Sequence, residues 1–441
     1  MKRRTTMSRG STMLALVAAG SLVLTACGGT DTAGPGDGAS GTAGGDGEDA
    51  SQVQVMTWWA QGSEKAGLEA LVEVFKEQHP DTEFVNAALA GGGGSQAKQK
   101  LQADLQAQNP PDTFQAHAGA ELQDYIDAGQ IEDVSDLYDE FGLTDVFPET
   151  LMKQLTVDDK IYSIPSNVHR SNVTWVNPAV LEEVGIDPAT PPADLDAWMA
   201  DMKKVADAGK IPLSLGMDWT QTQLLENILL SELGAEAYDG LWDGTTDWGG
   251  KEVNSALTKF GQIVEWSNKD RDGLDWEPAL QLVMEGSAAY NVMGDWAVAA
   301  YDAQDMAAGE DFLYWPVPGT DGVFNYLADS FTLPVGAPHP GGTKAWLETI
   351  SSAEGQLAFN TVKGSIPART DIDAAKFPEY QQSAMKDFSS DTIVGSLAHG
   401  AAAPIAVSTA VNQAVVKFSQ GASDVDTLQQ ELVAATKSLS E

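Results

Sequence analysis

The segment VQVMTWWAQGSEKAGLEALVEVFKEQHP, residues 53–80, constrains the fold most. It reads as a short apolar strand, a Trp-Trp pair, a turn of small residues and a long amphipathic helix. Leu68, Leu71, Val72 and Phe75 fall at i, i+3, i+4 and i+7, one face of a 3.6-residue period. Ser63 fits an N-cap and Pro80 stops the pattern. A strand feeding a helix opens an α/β layer, and ligands of open α/β sheets sit beyond the carboxyl ends of the strands. Trp58 and Trp59 lie at that end. Neighbours on a continuing strand point to opposite faces. Either one indole is core, or the chain has left the strand and both face a cleft.

The same alternation runs on. Residues 82–90 read as a strand, the four glycines 91–94 as a loop, and 95–108 as a helix. No Lys-Ser/Thr follows those glycines, so they are no P-loop. Residues 221–233 and 276–285 read as helices, 237–250 as a Trp-, Asp- and Gly-rich loop, and 288–293 as a buried strand closed by Gly294-Asp295-Trp296. Residues 403–439 read as helical. The expected class is therefore α/β with at least two sheets. With 441 residues the chain is long enough for two lobes, each with its own core, and no Pro/Gly linker splits residues 52–441 into consecutive domains.

Net charge is −39, which argues against nucleic acid as a partner. Cys27 is the single cysteine, so the chain holds no internal disulfide and no cysteine-based metal cluster. Lys2, Arg3, Arg4 and Arg9 precede an apolar run, and Leu24-Thr25-Ala26-Cys27-Gly28 follows it. This start resembles a bacterial lipoprotein signal with its lipobox, which implies cleavage before Cys27 and acylation of its thiol. Removing residues 1–26 takes away four basic groups and no acidic ones, leaving −43. Residues 28–51 are Gly, Ala, Thr, Asp and Ser with almost no large apolar side chain, and read as a flexible leash.

Signs of catalysis are few. The five histidines form no HExxH, and neither a G-x-S-x-G elbow nor a G-x-G-x-x-G after a strand occurs. Glycoside hydrolysis needs only two carboxylates, and 64 acidic residues single out no pair. Recognition is better supported. Of twelve tryptophans, Trp58, Trp59, Trp219, Trp242, Trp248, Trp276 and Trp296 sit beside turn residues and charges. A sugar offers C–H faces to indoles and hydroxyls to carboxylates, amides and amines. Asp295 at a strand end is either a surface turn or a ligand acceptor; Lys363 and His399 lie between small residues, as solvated loops or as polar contacts.

Seven segments carry a resemblance over residues 58–404: WWAQGSEKAGLEAL, NPPDTFQAHAGAEL, IPSNVHRSNVTWVNP, YNVMGDWA, ADSFTLP, KGSIPAR and SAMKDFSSDTIVGSLAHGAAAP. Together they resemble extracellular solute-binding proteins of ABC importers, sugar-binding family 1, and more narrowly bacterial glucose-binding proteins. The resemblance implies a two-lobed, maltose-binding-like periplasmic-binding-protein fold of type II with three inter-lobe crossings, near residues 165–170, 314–320 and 352–360. It implies an N-terminal lobe of residues 52–166 with 317–356, and a C-terminal lobe of 167–316 with 357–441. It places Trp58, Trp59 and Trp276 on the sugar rings, and Glu64, Asp295, Lys363 and His399 on the hydroxyls. Gln102 stands where some relatives have a Lys, with Lys100 as the alternative, and His117 is a further candidate. The same resemblance implies a lipid-anchored monomer on the outer face of the cell membrane. It would take glucose or a close epimer and hand it to an ABC permease, with no cofactor, metal or catalysis. A disaccharide or oligosaccharide ligand is the alternative.

Overall fold

The computed structural model describes residues 49–439. The signal segment, Cys27 and the leash up to residue 48 lie outside the described residues. Strand Gln52–Met56 is followed by α1, Gly62–Gln78. Leu68, Leu71, Val72 and Phe75 of α1 are all buried, as their spacing demands. Phe75 meets Phe84 and Trp346 edge-on, with ring centroids 6.1 and 5.7 Å away.

A five-stranded sheet runs in the order Glu83–Asn86, Gln52–Met56, Thr113–His117, Asp329–Phe331, Ile164–Pro165. Its first two pairings are parallel and its last two antiparallel. A four-stranded sheet runs Leu313–Pro316, Val173–Val176, Ala288–Val292, Ile211–Ser214. Val173–Val176 and Ala288–Val292 are buried along their whole length, because helices cover both faces. A small sheet of Thr392–Gly395, Val323–Leu327 and His169–Arg170 lies where the chain passes between the other two.

The passages follow from strand membership. Ile164–Pro165 belongs to the first sheet and Val173–Val176 to the second, so the chain changes halves between them. It returns between Leu313–Pro316 and Asp329–Phe331. The third expected passage, at 352–360, falls instead inside a helix, Ala353–Lys363, that packs along α1. Gly67 marks the approach: a β-carbon there would lie 3.2 Å from Phe359. The lobe boundary expected at 356/357 therefore cuts an intact helix, and Ile366, just beyond that helix, pairs with Val168.

Three more helices place the site: α2, Ser95–Gln106; α3, Asp218–Asp243; and α4, Trp276–Met284, with Ala353–Lys363 as α5. Residues 237–243, expected as loop, are helical. Gly234 turns the backbone with φ +75°, after which Tyr238, Leu241 and Trp242 re-enter the core. Trp242 meets Trp248 edge-on there, at 5.3 Å.

Candidate functional site

Trp58, Glu64, His117, Trp219, Trp276, Trp296, Lys363 and His399 converge on one cavity, with His169, Asp329, Leu327 and Gly93 completing its wall. Its atom-free space, open mouth included, is about 350 Å³. These residues come from both large sheets and from the passages between them. A wider cleft opens beside it, lined about equally by small apolar residues and by polar ones such as Glu277, Gln281 and Asp302, with no indole or histidine among them. The smaller cavity gathers the convergent polar groups and is the functional candidate.

Its floor is an ordered chain in which basic and acidic side chains alternate. Lys98 donates to Glu121 at 2.8 Å, and His117 Nδ1 meets the same carboxylate oxygen at 2.8 Å. His117 Nε2 stands 3.8 Å from Asp329, and His169 Nε2 stands 3.4 Å from it. His169 Nδ1 bonds Asp295. Gln115 and Asn167 also donate to Asp329, at 2.8 and 3.0 Å. Burial pushes the Asp329 carboxyl up, but the bond to His169 and the charges of His169, His117 and Lys363 outweigh it, holding it far below the usual range. For Glu121, burial is outweighed by Lys98 and His117, which hold it at about 2. Burial alone would lower His169; Asp295 reverses that and keeps it cationic more readily.

The wall is aromatic. His399 is ringed by Trp296, Trp219 and His117, at 5.2, 5.6 and 5.7 Å, all edge-on. Lys98 lies over Trp58 at 5.4 Å and Lys363 over Trp296 at 5.6 Å. Lys363, 2% exposed, donates to Glu64 at 3.2 Å. Burial raises the Glu64 carboxyl, against the pull of Lys363. Trp219 Nε1 and His399 Nε2 are buried without a protein partner, a costly state that a ligand's hydroxyls would relieve.

Three candidates lie elsewhere. Trp59 is fully buried between Phe331 and Phe359, 5.6 and 4.6 Å away, although the chain has already left the strand at Met56. Gln102 is exposed on the outer face of α2, and Lys100 pairs outward with Asp104. The residue of α2 that turns inward is Lys98, on the same side as buried Leu101. Asp295 has no exposed surface and no wall position. It is consumed by His169 and by the backbone N–H of Arg170, at 3.0 Å for the latter, so it orients the floor.

The turn that begins α4 joins the halves. Asp275 caps it, accepting from Trp276 N at 2.8 Å, and also accepts from Gly92 N at 3.1 Å. Glu277 lies over the first turn of α1, against the Ser63 N–H. The helix has no side-chain cap of its own: Gln61, not Ser63, is the N-cap and bonds nothing there. A β-carbon on Gly92 would stand 2.2 Å from Asp275 Oδ1, so only glycine allows the approach.

Two strand-rich halves with a polar, indole-walled cavity between them define a periplasmic-binding-type receptor. Solved structures share the fold. A chitin oligosaccharide binding protein superposes with a TM-score of 0.78 at 20% identity, covering 88% of this chain and 98% of that one. The maltose-bound MalE3 of T. maritima gives 0.69 at 16%, covering 88% and 98%. The sequence profile of the bacterial extracellular solute-binding proteins matches residues 59–357. The chain belongs to that family. It is 33% identical to an uncharacterised ABC transporter extracellular-binding protein of Pyrococcus horikoshii, over 88% of this chain and 87% of that one. It is also 33% identical to a probable sugar-binding periplasmic protein of Mesorhizobium japonicum, over 85% and 90%. Among the described residues no helix is long and apolar enough to cross a membrane, and no group of three or more His, Cys, Asp or Glu is placed to hold a metal.

Proposed function

We propose that this chain captures one monosaccharide, glucose or a close epimer, and delivers it intact to an ABC permease. The observation that carries this is the cavity itself. Indoles of Trp58, Trp219, Trp276 and Trp296 meet fixed acceptors and donors around one narrow cavity. Glu64 and Asp329 would accept from hydroxyls, and Lys363 would donate. Hinged closure of the halves would trap the sugar, by as much as the closed state binds it better. Cys27 would carry the lipid that tethers the receptor outside the cell, and residues 28–51 the leash.

Titration of the full chain with a panel of hexoses, pentoses and aryl glucosides tests this. Saturable heat with glucose, galactose or mannose is expected. No heat with any of the three, or release of product from a glucoside, overturns it.

One observation favours a longer ligand. A second space shares Trp58, Glu64 and Trp276 with the cavity. Tighter binding of maltose than of glucose would establish that reading.

A further inference from the structure

Glu226 sits in the middle of α3 with no exposed surface and does not line the cavity. Its carboxylate accepts from Ser171 Oγ at 3.0 Å, Ser396 Oγ at 2.8 Å, and the backbone N–H groups of Leu397 and Ala398 at 2.5 and 3.1 Å. The two backbone groups can only donate, so Oε2 is an acceptor. Ser171 Oγ takes a hydrogen bond from Gln223 Nε2 at 3.1 Å, so its own proton goes to Glu226 Oε1.

Ser396 has one proton and two neighbours that bear on it. Glu226 oxygens lie 2.8 and 3.2 Å away, and His399 Nδ1 lies 2.8 Å away on the other side. Once ionised, which burial delays to about pH 7, the carboxylate takes the proton. Only a lone pair is left for the imidazole, so Nδ1 must be the nitrogen that carries hydrogen. Burial, then the neighbouring His117, holds His399 well below its usual pKa, so the ring is neutral. Its Nε2 is then a bare lone pair. That atom is buried and without a protein partner, on a ring that lines the cavity between Trp219 and Trp296.

We propose that Glu226 and Ser396 are positioning residues that fix His399 as a hydrogen-bond acceptor, so that the cavity selects a ligand placing a hydroxyl donor at Nε2. A ligand with a deoxy, fluoro or O-methyl group at that point is refused. For the ligand's identity this rests on the sugar reading above; the direction of the protons does not. The resemblance put His399 on a sugar hydroxyl; the network makes it the acceptor of that pair.

The test has two arms on the full chain. Burial pushes Glu226 up to about 7, so mildly alkaline buffer keeps it ionised. In unliganded protein with labelled histidines, long-range proton–nitrogen correlation reads the tautomer, and His399→Gln identifies the signals. Wild type should show hydrogen on Nδ1, Ser396→Ala should move it towards Nε2, and Ser396→Thr should restore it. An Nε2–H ring or an imidazolium in wild type, or no change in Ser396→Ala, overturns the relay. In the second arm, glucose and its monodeoxy analogues are titrated. One analogue should bind wild type about tenfold or more weakly than glucose, and that ratio should collapse in Ser396→Ala. Equal ratios in both proteins overturn the selection. Absence of any sugar binding overturns the sugar reading and the selection with it, while the tautomer still decides the relay.

Discussion

Asp275 and Gly92, 183 residues apart in sequence, are joined by a hydrogen bond of 3.1 Å from the glycine N–H to the aspartate carboxylate. The bond ties the turn that carries Trp276 to the glycine loop before α2. Any side chain at 92 would collide with that carboxylate. Gly92→Ala should therefore weaken sugar affinity by about tenfold or more, since one tenfold step is only ~1.4 kcal/mol. Calorimetry checks it, and unchanged affinity would show that the contact plays no part in capture.

Trp276 and Trp59 should separate cleanly. Trp276 lines the cavity, so Trp276→Ala should lower affinity by about tenfold, the aromatic contact being worth ~0.5–1.5 kcal/mol beyond its buried area. Trp59→Ala empties a core position between two phenylalanines and should cost about 3–5 kcal/mol of stability. Melting temperature and sugar titration on both variants distinguish the roles. A Trp59 variant with wild-type stability would contradict its core placement.

Glu121 gives a pH dependence with a definite sign. Its folded pKa of about 2 lies below the ordinary 4.5, so the folded state binds that proton less readily than the unfolded chain does. The stabilisation is complete above the ordinary value and is lost as pH falls towards 2. Glu121→Gln should thus be less stable than wild type at neutral pH, by on the order of 3 kcal/mol. The gap should close in acid. Denaturant unfolding across pH checks this; a gap independent of pH would assign the loss to packing.

Lys98→Met should weaken binding more than Lys100→Met or Gln102→Met. Lys98 reaches Glu121 and Trp58 at the cavity, whereas Lys100 and Gln102 face outward. Equal affinities in all three variants would remove α2 from the site.

What could be read from sequence was what local period controls. The apolar face of α1, the strand-to-helix alternation and the break after Met293 all follow from spacings within a few residues. Trp58 and Trp59 were legible only as alternatives, one indole in the core or both at a cleft, because spacing does not say that the strand ends at Met56. The resemblance placed both there, and the packing of Phe331 and Phe359 keeps Trp59 out. His169 and Asp329 stand in segments that carry the resemblance but were not singled out: their roles arise from a meeting across 160 residues of chain. Asp295 looked like a ligand acceptor because a strand-end acid needs a partner, and that partner, His169, lies 126 residues away. Lys98 was legible in principle. It sits next to buried Ala97 and three residues before buried Leu101, whereas Gln102 lies one step further round the helix from both.

The borrowed cap on α1 has a further meaning. Glu277 reaches that helix from the opposite half, so parting the halves strips the first turn of that carboxylate. The amides of residues 62–65 would then fray in the empty receptor and knit when it is filled, and their exchange with solvent becomes a built-in gauge of occupancy, legible without touching the sugar.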